Sequence, residues 1–176
     1  MIKKQKGEQM KTLVLFSHSY YDKSSVNKAL LEALSKEQDF EIHNLNLVYP
    51  NDKINIKAEF EKLQNANRIL VQFPLFWYST PSIFKEWQDE VLTPIYEQKL
   101  DFLKDKKVGF VVTAGGSVSD FKELDNACES GIERTMFALN TSFEGVDAKI
   151  VKPFVIFSAN ANNLPLEAYL DYAKNF

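Results

Sequence analysis

The sequence predicts an α/β domain built as a doubly wound, five-stranded parallel sheet with helices on both faces. Three observations carry this. Short strand-like runs recur at Thr12 to Ser17, Phe40 to Leu47, Arg68 to Phe73, Lys107 to Thr113 and Val151 to Ser158. Segments with helical spacing lie between them, the alternation that makes a parallel sheet. Several of the runs are apolar without alternation, as strands covered on both faces are.

The first run is continuous from Leu13 to Phe16. After it, Ser24 and Ser25 stand where they can cap a helix whose apolar face is Val26, Ala29, Leu30, Ala33 and Leu34. The second run, Phe40-Glu41-Ile42-His43, alternates, so it belongs at an edge of the sheet. A helix over Lys57 to Asn65 follows, then the third strand with Ile69 to Val71 at its centre. Pro74 ends that strand, because it has no N–H for the ladder and holds Phe73 extended. Ser82 to Leu92 reads as the next helix, Phe110 to Val112 as the heart of the fourth strand, and Leu124 to Leu139 as a helix weakened by Gly131. Phe154 to Phe157 marks the fifth strand and Pro165 to Lys174 the last helix.

Composition narrows the function. The formal net charge of −3 and the lack of basic clusters argue against nucleic acid as the main partner. A single cysteine, Cys128, forms no internal disulfide, and no cysteine-histidine cluster is spaced for a metal. Cys128 reads as a packing position on a helix. His43 reads as structural or exposed, and the pairs Glu59/Glu61 and Asp89/Glu90 as solvated helix charge. Residues 1–10 are lysine-rich and polar and are expected to be a disordered extension ahead of a single domain over 11–176. With no signal peptide or membrane-spanning stretch in view, the expected location is cytoplasmic.

Three loops follow the carboxyl ends of strands, where open α/β sheets bind ligands. Gln72 to Pro81 runs from a strand into Phe76-Trp77-Tyr78, a place to hold a flat ring. Ser17 to Asn27 brings His18, Ser25, Asn27 and a helix N-terminus together, which suits a phosphate. There is neither a Walker lysine motif nor Gly-x-Gly-x-x-Gly. Thr113-Ala114-Gly115-Gly116 ends the fourth strand in two glycines, which let backbone donors approach a ligand and would stabilise a ring that gains negative charge. Each loop alone has an ordinary reading too: core aromatics or a dimer contact, a capped helix, a glycine turn. The fold brings all three to one edge.

Together with Val48-Tyr49-Pro50, Lys85 to Asp89, Pro153-Phe154 and Ala159-Asn160, these loops resemble the flavodoxin-like NAD(P)H:quinone oxidoreductases, the family of bacterial modulators of drug activity and potassium-efflux ancillary proteins. The resemblance covers nearly the whole chain from Lys11. It implies a flavodoxin-like homodimer that binds a flavin non-covalently, is reduced by NAD(P)H and passes a hydride to a quinone or similar acceptor. FMN is favoured over FAD because so short a chain offers little surface for an adenosine half. By motif position His18, Ser25, Val26 and Asn27 would hold the phosphate side; Pro74, Leu75, Phe76, Trp77 and Tyr78 would line the ring; and Thr113, Ala114, Gly115 and Gly116 would border its pyrimidine end. The flavin would carry the chemistry, with Tyr78 and Phe121 near the acceptor pocket. Two departures stand out. Phe121 replaces a tyrosine and has no histidine after it, and Ile95 to Gln98 replaces a glycine-aromatic-Ala-Tyr loop of which only Tyr96 is a counterpart. The alternatives are a regulatory subunit docking on a potassium-efflux transporter and, less well matched, a single-electron carrier.

Overall fold

The computed structural model describes residues 11–51, 53–125 and 130–176. Its strands are β1 (Thr12–Phe16), β2 (Phe40–Asn44), β3 (Arg68–Pro74), β4 (Lys107–Thr113), β5 (Lys149–Ile150) and β6 (Phe154–Ile156). The helices are α1 (Val26–Leu34), α2 (Leu45–Val48), α3 (Ile56–Asn65), α4 (Ser82–Trp87), α5 (Thr93–Glu97), α6 (Val118–Lys122), α7 (Gly131–Glu144) and α8 (Leu166–Asn175). The sheet order is β2-β1-β3-β4-β5, with β6 also on β4, and every pairing is parallel. The alternating strand lies at the edge, as its pattern requires.

Successive strand residues face opposite layers. Leu13, Leu15, Val71, Phe73, Phe110 and Val112 pack into one core, under α3, α4 and α7. Val14, Phe16, Leu70 and Val111 pack into the other, with Leu30, Leu34 and Tyr169 from α1 and α8. Each such apolar side chain, fully buried, contributes roughly 1.5 to 3 kcal/mol. On the first face Phe73, Phe84, Trp87 and Phe143 stack in series.

Four local features differ from the expectation. The second strand stops at Asn44 rather than Leu47, because the Asn44 side chain accepts from the Asn46 N–H and caps α2. The fifth strand is divided: Pro153 cannot donate to the ladder, and the register on β4 slips by one residue between Ile150 and Phe154, a bulge. The helix expected over Leu124 to Leu139 is α7, which starts at Gly131 and runs to Glu144, and a separate short α6 precedes it. Ser130 and Glu133 form a capping box at the start of α7, and Gly131 is its first residue. A Cβ on Gly131 would lie 1.9 Å from the Phe121 carbonyl oxygen, so glycine is what lets α7 abut the end of α6. Finally, α4 continues to Glu97 through one π-helical stretch, Gln88–Leu92. Cys128 and residues 1–10 lie outside the described residues.

The reading of Glu59 as solvated charge is also corrected: Glu61 is exposed, but Glu59 is fully buried. Its Oε1 is 2.8 Å from His43 Nε2 and accepts from the Tyr49 hydroxyl, while Oε2 accepts from Trp87 Nε1 at 2.8 Å. Burial pushes the carboxyl up, but these hydrogen bonds and the His43 charge more than offset it and hold it below the usual carboxylate range. This hub joins β2, α2, α3 and α4. On the far side Arg68, also buried, donates to the carbonyls of Ala173, Lys174 and Phe176 and caps the carboxyl end of α8.

Candidate functional site

A cleft of about 320 Å³ opens at the carboxyl edge of the sheet, within the size range of small-molecule sites. It is lined by the ends of β3 and β4, the loop before α1 and the segment after β6. Backbone bonds lock these segments together. Leu75 N–H donates to Thr113 O at 2.8 Å, Ala114 N–H to Ile156 O at 2.9 Å and Ala159 N–H to Ala114 O at 3.0 Å.

One wall is the amino end of α1. Ser25 is its N-cap residue but, contrary to expectation, its side chain accepts no hydrogen bond, so the first-turn N–H groups keep their positive end for whatever enters the cleft. Ser24 lines the same wall; its hydroxyl is buried and, among the described residues, has no partner. An orphaned buried hydroxyl is costly unless a ligand satisfies it. Lys23 adds a positive charge to the lining. His18 is mostly buried, and its Nδ1 accepts from the Tyr20 N–H at 3.0 Å. Burial, and secondarily the charge of Lys28, hold its pKa below the usual histidine value. The neutral ring therefore carries its proton on Nε2 and is a donor there.

The opposite wall is Pro74, Leu75 and Phe76. Phe76 and Ser79 exchange two backbone hydrogen bonds of 3.0 Å across Trp77 and Tyr78, both of which have positive φ, 49° and 60°. Such a turn normally takes Asn-Gly, and an L residue held there costs roughly 1 to 2 kcal/mol. Strain of this kind collects at ligand clamps. It leaves the Trp77 ring 95% exposed, while Tyr78 packs edge-on against Phe121 at 5.8 Å. Phe121 is buried and also meets Phe157 at 5.1 Å.

The end of β4 forms the floor. Gly115 has no unusual φ, and a Cβ added there would meet nothing within 4 Å, so the space above it is open. Gly116 instead faces Asp120 and Phe121.

Of the residues singled out in the sequence, His18, Ser25, Val26, Asn27, Pro74, Leu75, Phe76, Thr113, Ala114 and Gly115 line this one cleft. Trp77, Tyr78 and Gly116 do not. Asn27 is tied into the fold: one N–H of its Nδ2 donates to Thr113 Oγ1 at 2.9 Å and its Oδ1 accepts from Gln72 Nε2 at 3.1 Å. Lys23, Ser24 and Ala159 also line the cleft: Ser24 was expected only as a helix cap, Ala159 only as part of the family resemblance, and Lys23 not at all. Lys23, in a loop already read as phosphate-binding, carried the one usable signal, its charge. Among the described residues no group of His, Cys, Asp or Glu is placed to hold a metal, and no helix is long and apolar enough to cross a membrane.

A sheet of this strand order with a ligand cleft at its switch point defines a flavodoxin-like architecture. The family model described as flavodoxin-like fold matches residues 10–175, and the chain belongs to that family. YrkL of Bacillus subtilis, named an uncharacterized NAD(P)H oxidoreductase, is 30% identical over 163 residues, covering 93% of this chain and 86% of that protein. KefF of Citrobacter koseri, named a glutathione-regulated potassium-efflux system ancillary protein, is 36% identical over 111 residues, 62% of this chain and 63% of that one. Among solved structures, the general stress protein 14 of Treponema denticola in complex with FMN superposes with a TM-score of 0.84 at 27% identity, covering 93% of this chain and 98% of the other.

Proposed function

We propose that this protein is a flavin-dependent NAD(P)H oxidoreductase that binds FMN in the cleft and passes two electrons as hydride to a quinone or similar acceptor. The observation that carries the proposal is the pairing within one cleft of an uncapped helix N-terminus and an orphaned buried Ser24 hydroxyl with the open face of Gly115. The first two fit a phosphate and the third a closely seated ring. The FMN complex of the Treponema denticola structure and the name of YrkL point the same way.

In this reading His18 Nε2, Ser24, Lys23 and the first turn of α1 hold the phosphate. Pro74 to Phe76 flank the ring, and Thr113 to Gly115 offer donors at its edge, with Gly116 behind them. Trp77 and Tyr78, on their strained turn, shield the mouth from water beside Phe121. Bound flavin supplies the hydride chemistry, accepting from nicotinamide and giving to the acceptor. The residues of the cleft bind and orient; His18 and Lys23 are its titratable side chains. A single open face implies that donor and acceptor use it in turn, giving ping-pong kinetics.

The test is the visible spectrum of the purified protein after incubation with FMN and then anaerobic addition of NADPH or NADH. Flavin bands that bleach support the proposal. A protein that takes up neither FMN nor FAD overturns it. The similarity to KefF favours a second reading, a regulatory subunit docked on a potassium-efflux transporter. Co-purification with such a transporter, with regulation unchanged when flavin turnover is blocked, would favour that role.

A further inference from the structure

Four buried side chains from four elements, α8, β3, α1 and β4, form a chain of hydrogen bonds ending in the cleft. The Tyr169 hydroxyl of α8 donates to Gln72 Oε1 at 2.8 Å. Gln72 Nε2 donates to Asn27 Oδ1 at 3.1 Å, and Asn27 Nδ2 donates to Thr113 Oγ1 at 2.9 Å. Gln72 and Tyr169 are fully buried and lie outside the cleft; Asn27 and Thr113 line it.

Every bond in the chain runs the same way, and the far end sets the direction. Burial raises the Tyr169 phenol, so it stays protonated and must donate; among the described residues its hydroxyl has one partner, Gln72 Oε1. With its oxygen turned to Tyr169, Gln72 presents its NH₂ to Asn27, and Asn27 in turn presents its NH₂ to Thr113. The reverse order would leave the phenolic proton buried without an acceptor, which is costly. A threonine hydroxyl has one proton and two lone pairs. Because Asn27 supplies a hydrogen bond to that oxygen, Thr113 keeps its own proton to give.

We infer that Gln72 and Tyr169 are positioning residues: they fix the polarity of this relay so that the Thr113 hydroxyl is a donor toward an acceptor atom of the ligand ring. The inference rests on the flavin reading above and extends it to residues that never touch the ligand. The helix α8 thereby becomes part of the site, held at its carboxyl end by Arg68 and at Tyr169 by the relay.

The experiment titrates the apoprotein with FMN, read by quenching of flavin fluorescence, in Gln72→Glu, Tyr169→Phe, Thr113→Val and Thr113→Ser. It includes the doubles of the first two with Thr113→Val. Gln72→Glu keeps the shape but cannot donate when ionised. Asn27 then turns its NH₂ to residue 72, and Thr113 must spend its proton on Asn27 Oδ1. We expect Gln72→Glu and Thr113→Val each to weaken FMN binding about tenfold, Tyr169→Phe about threefold, and Thr113→Ser to keep wild-type affinity. In the Thr113→Val background neither Gln72→Glu nor Tyr169→Phe should weaken binding further. Losses that persist undiminished in that background, or a Gln72→Glu affinity equal to wild type, overturn the inference while leaving the flavin reading intact. Wild-type protein that binds no FMN overturns both. If Gln72→Glu does not fold, the Tyr169→Phe and Thr113→Val cycle decides alone.

Discussion

The Glu59 hub and the cleft are both polar and built from side chains of several elements, but the hub is buried and the cleft open, and they are finished differently. In the hub both carboxylate oxygens are used: His43, Tyr49 and Trp87 converge on them, and no ligand is needed to complete the set. In the cleft the polar groups are left open. Among the described residues Ser24 has no partner, Ser25 does not cap its helix and Gly115 faces open space, while beside the cleft the Trp77-Tyr78 turn holds positive φ. The difference separates structure from function on physical grounds. A buried polar cluster that closes on itself specifies the fold, whereas in the proposed reading the open groups of the cleft are completed by the ligand.

The largest effect is expected in the hub. Glu59→Ala removes a carboxylate and leaves three buried donors without it, which costs about 3 to 5 kcal/mol of folding stability. Chemical denaturation will show this as a lower midpoint at unchanged slope, and the fraction that remains folded should bind FMN normally. The cleft should give the mirror image. A Cβ at Gly115 meets no protein atom and needs no unusual φ, so thermal stability of the Gly115→Val apoprotein should stay within about 0.5 kcal/mol of wild type. FMN affinity should fall by roughly a hundredfold, since a close backbone approach is lost. A Gly115→Val protein that binds FMN as well as wild type would remove the ring from this floor.

The contrast also explains what could be read in the sequence. The strands, the edge place of the second and the three loops were legible because they follow from local chemistry: apolar runs with or without alternation, Pro74, and the glycines at a strand end. The hub was not, since Glu59 on a helix next to Glu61 looks like any solvated pair until α3 is packed against His43 and Trp87. Asn27 was legible as a cleft residue but not as a strut, because its partners lie at Gln72 and Thr113, far along the chain. The bulge at Pro153 and the start of α7 at Gly131 were hidden for a different reason: each depends on where another element passes, β4 in one case and the end of α6 in the other.

Ser24→Ala gives a smaller effect with opposite signs in the two properties. Deleting an orphaned hydroxyl should leave the apoprotein as stable or up to about 1 kcal/mol more stable, yet weaken FMN about tenfold. Thermal melts of the apoprotein beside FMN titrations check both. Reduced stability together with full affinity would mean that Ser24 serves the fold, as Glu59 does.

The smallest expected effect is a difference in pH response. The native pKa of His18 is depressed below the ordinary 6.5 by burial and by Lys28. Above 6.5 the imidazole is neutral in both folded and unfolded chains and contributes nothing. Below it the unfolded chain takes up a proton that the native state resists, so stability falls as the pH drops from 6.5 toward the native pKa. Glu59 acts in a separate window: its carboxyl is held below the usual 4.5, so the stability it contributes is complete above that value and is lost only as pH falls through the lower native pKa. Melting the apoprotein between pH 7.5 and 5 should therefore show a modest decline in Tm that His18→Asn reduces. A phosphate in the cleft would favour the imidazolium, so FMN should flatten the same slope in wild type and leave His18→Asn unaffected. Identical slopes for the two proteins would detach His18 from the phosphate wall and leave Ser24 and the first turn of α1 to hold it.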